Sequence, residues 1–558
     1  MLFSSLFAKT AEYEKLAHAL SAPGACALFG LPGSGRAMVY AALAKETGRF
    51  LCIVTPGEAE ATRFAGDLNA LGIPTAVFPA RDYVLRPIEG TAREYEYRRL
   101  SVLGDIVGGR LQAVCVPDEG LTQYTTPRAE FCNNTRTLHP GDTVPRTELT
   151  ALLYNAGYAR RAQVDGPGQF SIRGDIVDLY APDMKLPVRM EFWGDEIDTM
   201  HTFDLATQRR EDPIEKIYVS PAREVLFGSP AEAAELLRDF IKKFRGKKRT
   251  ALEACLATEL AQLDGGALPV NMDKYLAVRY PQPATLLDYF DDPLLVLEEP
   301  ASLREAERAT TYRRGEEISA LLQDGVLAAG LDNLYAENGY LWAQAANHRT
   351  ICAENFARSM PDIPLKDIVN APAHTLPAWG GEVTSLLEDL QPLCNGGAAV
   401  TVLAGTQRAA AGLAADLRTK GLLVTTDPDA APGAGLVQVL PGQLSAGCSV
   451  PFAKYALFTA RAFGISSTQK KKKRNKDALN SLSEIAVGDL VVHQNHGIGR
   501  YAGIQRMAVQ GVTKDYLRIE YDKKDVLYVP VTQLDLLSRY TAPNDSDNVK
   551  LSRLGGSD

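Results

Sequence analysis

No apolar run in this sequence approaches the ~20 residues needed to cross a bilayer. The N-terminal stretch from Met1 to Lys9 lacks both a charged n-region and a long apolar core, so no signal peptide is read there and a cytoplasmic protein without membrane attachment is expected. The eight cysteines, at 26, 52, 115, 132, 255, 352, 394 and 448, contain no C-x-x-C pair. Cys52 and Cys115 sit inside apolar runs, so buried, reduced thiols are expected. Positive charge is not in excess either. The net charge of −8 argues against a protein whose main work is coating bare nucleic acid, because that affinity comes largely from Lys and Arg neutralising phosphates, and it suits protein partners better. What is present is ordinary for soluble globular domains, 46% hydrophobic and 23% charged residues. A chain of 558 residues is long enough for about three to five domains.

The most informative stretch is Gly30-Leu31-Pro32-Gly33-Ser34-Gly35-Arg36-Ala37. It follows the apolar run Ala25 to Phe29 and leads into a helical pattern through Val39, Leu43 and Thr47. Strand, glycine loop and helix form the setting of a nucleotide-binding P-loop, G-x-x-x-x-G-K-[ST]. The glycines are in register, but Arg36 stands at the lysine position and Ala37 at the Ser/Thr position. Ala37 offers no hydroxyl to a magnesium ion. Gly30, Gly33, Gly35, Arg36 and Ala37 are therefore read as a vestigial P-loop with no functional cofactor site; an ordinary glycine turn is the alternative.

Residues 10–118 alternate strands (Phe50 to Val54, Thr75 to Phe78, Ala113 to Val116) with a helix from Glu58 to Leu71, which implies a parallel sheet covered on both faces. Arg81 to Leu100 is rich in Arg and Tyr and reads either as a nucleic-acid contact or as a solvated loop and helix start. Residues 119–219 turn β-rich: Gln169 to Arg173, Asp175 to Tyr180, Val188 to Phe192 and Ile197 to Phe203 are short strands, and Val188, Met190 and Phe192 alternate with Arg189 and Glu191. Arginines 160, 161, 173, 189, 209 and 210 on its polar faces suit either an interface with carboxylates or a solvated face.

From 220 to 335 helices return, at Ala231 to Phe244 and Leu303 to Leu322. The strand Leu294 to Leu297 between them ends in Glu298-Glu299, read as an acidic pair at a helix start rather than a metal site. A further α/β unit follows at 336–462, with a strand from Ala398 to Gly405 and a helix from Gln407 to Lys420 capped by Gly421. The basic run Ser466 to Lys476 is a flexible tether. After it, 482–541 reads as a small SH3-like or Tudor-like β module. Tyr516 to Tyr521 alternates there, with Leu517, Ile519 and Tyr521 on one face and Tyr516, Arg518 and Glu520 on the other. His493 and His496 have no further ligand nearby in sequence, so no metal is expected.

Two stretches carry a family resemblance. Ser171 to Tyr180 with Pro187 to Asp198 resembles the UvrA-binding domain shared by UvrB and the transcription-repair coupling factors (Mfd). Val491 to Tyr501 with Tyr528 to Val531 resembles the RNA-polymerase-interacting domain of the CarD/Mfd family. Their order in one chain points to the N-terminal part of a bacterial transcription-repair coupling factor. The resemblance implies a multidomain α/β protein: a UvrB-like degenerate P-loop domain (1–118 and 220–335) interrupted by the β-rich UvrA-binding domain (119–219), an α/β domain (336–462), a basic linker (463–481), a CarD-like barrel (482–542), and the start of a connection (543–558) to an absent translocase. It also implies that ATP and magnesium, and most DNA contact, belong to that translocase, so this part is not an enzyme. The implied partners are UvrA, met by Arg161, Arg173 and Arg189, and the RNA polymerase β subunit, met by Tyr516, Leu517, Arg518 and Ile519. Leu517 is expected to accept arginine with loss of polymerase binding but not of fold. A rival reading is a weak UvrB-like ATPase or DNA-loading enzyme.

Overall fold

The strand Gly24–Phe29 is buried at every residue, as a strand covered on both faces of a parallel sheet must be. A computed structural model describes residues 7, 10–86, 93–269, 271–361, 363–460, 487–493, 496–508, 513–522, 525–530, 537–540 and 551–552. The expected tether at 463–481 and almost all of 543–558 lie outside the described residues. The first unit is a seven-stranded sheet in the order 365–370, 24–29, 349–354, 294–298, 51–55, 113–117, 75–77, parallel throughout. Its two flanking strands at Arg349–Glu354 and Leu365–Asn370 place the end of this unit near residue 371, not at 335, because Gly24 to Phe29 pairs with both. The insertion also begins later than residue 119. Leu121 and Phe131 are buried with Val114, Val116 and Tyr289 in the first unit's core.

The β-rich insertion enters and leaves through one antiparallel ribbon, in which Leu138 pairs with Ile217 and Arg136 with Val219. Between these ends a six-stranded sheet, in the order 210–213, 196–203, 188–193, 176–180, 169–173, 159–160, packs one face on a core that includes Phe170, Val177, Met190 and Met200. Helices Pro230–Lys242 and Gly246–Asp264 form a separate helical lobe on the first unit.

The next sheet, of six strands in the order 374–376, 447–450, 455–459, 399–403, 436–440, 423–425, does not stand alone. Its Leu444, Cys448, Val450, Tyr455 and Leu457 share one apolar cluster with the loop helix Gly33–Thr47 and with Leu28 and Ile53 of the first sheet. That helix is buried continuously from Ser34 to Ala44, which is why its sequence is apolar all round rather than striped. Asp67 ties the two units further, accepting from the backbone N–H and the hydroxyl of Ser445 at 2.6 Å each. The C-terminal module is a five-stranded antiparallel sheet in the order 526–530, 513–520, 497–508, 490–493, 537–539 around Val491, Tyr501, Leu517, Ile519, Leu527 and Val529. Among the described residues no helix is long and apolar enough to cross a membrane, and all eight cysteines are free thiols, five of them buried.

Candidate functional site

The degenerate P-loop is built as its sequence suggests, a buried strand turning through Gly30 (φ +91°) into the helix that starts at Gly33. Gly30 has a second constraint, since a Cβ there would lie 3.0 Å from the Ala371 carbonyl oxygen. The Arg36 side chain is 3% exposed and turns inward. Its Nη1 lies 2.8 Å from Glu298 Oε2 and donates to the Ala353 carbonyl at 3.1 Å; its Nη2 donates to Glu299 Oε1 at 2.8 Å. Tyr40 closes the group by donating to Glu298 Oε1 at 2.6 Å. Burial pushes the Glu298 carboxyl up while Arg36 pulls it back down. Arg36 is held above the usual arginine value, because Glu298 and its neighbours outweigh the burial that favours its neutral form. Above the loop, a Cβ on Gly35 would meet Cys448 Sγ at 3.0 Å, so the neighbouring α/β unit sits directly on it. Ala37 is fully buried. Glu299 is the N-cap of the helix Pro300–Gln323, as expected for an acidic pair at a helix start.

Arg81 and Arg99, expected in a solvated or nucleic-acid-facing stretch, are instead buried. Arg81 grips Asp273 with two bonds of 2.7 and 2.9 Å and Glu224 with a third of 3.1 Å; Arg99 reaches the same Glu224 oxygen at 2.7 Å and lies over the Phe78 ring. The network joins the first sheet to the helical lobe, and neither side chain is open to a ligand.

The outer face of the insertion carries a paired charge row. Asp178, fully buried, accepts from Arg189 Nε at 2.7 Å and Nη2 at 2.9 Å, and from Arg173 Nη2 at 2.5 Å. Arg189 also lies over the Phe203 ring, and its side chain is only 12% exposed, so it is committed within the sheet. Arg173 remains 46% exposed and Arg161 is exposed. Beside them Glu191 is paired with Arg210, and Trp193 stands 83% exposed at a hairpin.

In the C-terminal module the alternation predicted for Tyr516 to Tyr521 is present from Leu517 onward, with Leu517, Ile519 and Tyr521 forming the interior face. Leu517 and Ile519 are fully buried and Tyr516 is 6% exposed, so of the residues expected to meet the polymerase these three have their side chains in the module's interior. Nor is this strand an edge: it is paired on one side with Gly497–Ala508 and on the other with Val526–Pro530. Arg518 alone of the four predicted residues keeps a half-exposed side chain, ion-paired with Glu520 at 2.7 Å. The surface ladder beside it is Tyr528, opposite Arg518, and Gln505, whose side-chain oxygen accepts from the Tyr528 hydroxyl at 3.3 Å. The described sheet ends in Val526–Pro530 on this side and in Leu537–Arg539 on the other. The motif around Tyr528 carries no local sign that its strand lies at an end of the sheet.

With these surfaces placed, two family models match the chain. Residues 137–225 match the UvrB interaction domain and residues 485–541 the CarD-like/TRCF RID domain. The chain thus joins a UvrB-type interaction domain to a CarD-type module. It is similar along 95% of its length to the transcription-repair-coupling factors of Bacillus subtilis strain 168 (28% identical over 548 residues), Staphylococcus haemolyticus (26% over 549) and Staphylococcus aureus strain MRSA252 (25% over 545). It covers 46% of each of those relatives, so it spans less than half of their length.

Proposed function

We propose that this chain is the recruitment part of a transcription-repair coupling factor, a scaffold that docks on the β subunit of RNA polymerase stalled at damaged DNA and brings UvrA to it. The observation that carries the reading is the pairing of a UvrB interaction domain with a CarD-like/TRCF RID domain in one chain. The C-terminal module is taken as a small SH3- or Tudor-like barrel that meets polymerase by strand addition along its end strand Val526–Pro530. Arg518 and Tyr528 flank that edge. On the insertion, Arg161 and Arg173 are the arginines that can reach carboxylates of UvrA, while Arg189 serves Asp178.

Catalysis is not assigned to this chain. Its P-loop position 36 is committed to Glu298, and the ATP, magnesium and DNA translocation of the whole protein are assigned to the portion of the relatives that the chain does not span. The test is a pull-down with purified polymerase β subunit and with UvrA. Arg518→Glu should weaken only the first, and Arg161→Glu only the second, each by about tenfold. Binding to both partners unchanged in both variants refutes the site assignment. The rival reading, a weak UvrB-like ATPase, requires micromolar binding of Mg-ATP in calorimetry.

A further inference from the structure

One cluster joins parts of the molecule that the recruitment reading leaves independent. His493 closes the strand Leu490–His493, and His496 precedes the strand Gly497–Ala508, with His493 paired to Gly497. The hairpin thereby turns both imidazoles to one side, with ring centroids 4.7 Å apart. Against them comes Glu94, the first residue of the helix Glu94–Val107 of the first α/β unit. One ligand atom from each of the three residues lies within 4.8 Å of the other two.

The distances matter. Glu94 Oε1 is 3.7 Å from His493 Nε2 and 3.6 Å from His496 Nε2. Both exceed the ~3.2 Å reach of an ordinary N–H···O bond. They come close to the edge of a coordination tetrahedron, about 3.3 Å for bonds of about 2.0 Å. Burial points the same way: the side chains of His493 and Glu94 are 0% and 8% exposed, while His496, at 29%, leaves one side open to water. Two imidazoles and one carboxylate are a donor set that suits zinc-class ions and not magnesium or calcium.

We propose that Glu94, His493 and His496 form a site for a divalent zinc-class ion that pins the C-terminal module to the first α/β unit. The ion's role is structural, and the site connects the polymerase-docking module to the body that carries the UvrA-binding insertion.

The experiment uses the full 558-residue chain, stripped of metal by a chelator and titrated with ZnCl2 in a calorimeter. One zinc per chain should bind, and His496→Ala, at the most exposed of the three positions, should weaken it by at least tenfold without changing the circular dichroism. Glu94→Gln should do the same. Co2+ in place of zinc should give visible absorption without a thiolate charge-transfer band, which separates this site from adventitious binding at the exposed Cys132. Zinc binding equal in the parent chain and in His496→Ala, or a thiolate band with Co2+, overturns the proposal and leaves the cluster as a Glu94–histidine contact between modules.

Discussion

Arg36 and Glu298 are ion-paired at 2.8 Å with both side chains almost fully buried, which joins the lysine position of a P-loop to the carboxylate at the end of the neighbouring strand. In a working site these two positions face each other across a nucleotide and its metal. Here they face each other directly, and the space between them is occupied by the guanidinium. The pair makes the loop a structural element of the core shared with the next α/β unit.

Breaking this pair from one side is expected to cost stability, because it strands a buried charge. Arg36→Met should destabilise the chain by about 3–5 kcal/mol, and adding Glu298→Gln should recover most of the loss. Urea unfolding followed by tryptophan fluorescence and circular dichroism measures both; a double variant no more stable than the single one counts against the pairing.

Leu517 and Arg518 are neighbours with opposite roles. Leu517→Ala removes buried methyl groups from the C-terminal module's core and should destabilise that module by about 2–5 kcal/mol. Arg518→Ala should change stability by no more than about 0.5 kcal/mol. Thermal melts distinguish the two, and they show why a Leu517→Arg variant that loses polymerase would report on folding as much as on docking.

The three charged residues of the insertion's outer face separate in the same way. Asp178→Ala should cost about 3 kcal/mol, since it leaves the largely buried guanidinium of Arg189 without its carboxylate. Arg173→Ala should cost under about 1 kcal/mol, because Arg189 still satisfies both Asp178 oxygens. Equal losses for the two variants would show that the pairing is not organised around Arg189.

Asp118 gives the chain an acid-side dependence. Burial, with Glu307 adding to it against Arg314, raises this carboxyl to about 7. Between the unfolded carboxylate value near ~3.9 and 7 the folded protein holds a proton that the unfolded chain has released. Stability from this group is therefore greatest below that window and falls as pH rises through it, by at most about 1.4 kcal/mol per pH unit. Asp118→Asn should flatten the dependence between pH 5 and 7; an unchanged slope removes Asp118 as its source.

How far the sequence reveals the fold depends on whether a residue's partner is close in the chain. The vestigial loop was legible because strand, glycines and helix are consecutive from Ala25 to Thr47. Arg349–Glu354 was not, because only four uncharged residues, Thr350 to Ala353, stand between Arg349 and Glu354, too short a run to declare a sheet strand. Arg81 and Arg99 looked solvated because their carboxylates, Glu224 and Asp273, lie more than a hundred residues on. Alternation in Tyr516 to Tyr521 revealed two faces but not which one the core would take, and Glu94 carried no sign that two histidines of the C-terminal module would meet it. The interaction modules themselves were legible in their local motifs, whereas the individual contact residues depended on burial.

The central claim is that one chain holds polymerase and UvrA together by binding alone. Size-exclusion chromatography of the chain with UvrA and RNA polymerase, without ATP, tests it most directly. The account predicts that all three co-elute, that Arg518→Glu releases polymerase while keeping UvrA, and that Arg161→Glu does the reverse. A chain that holds either partner but never both at once, or holds them only when Mg-ATP is supplied, contradicts it.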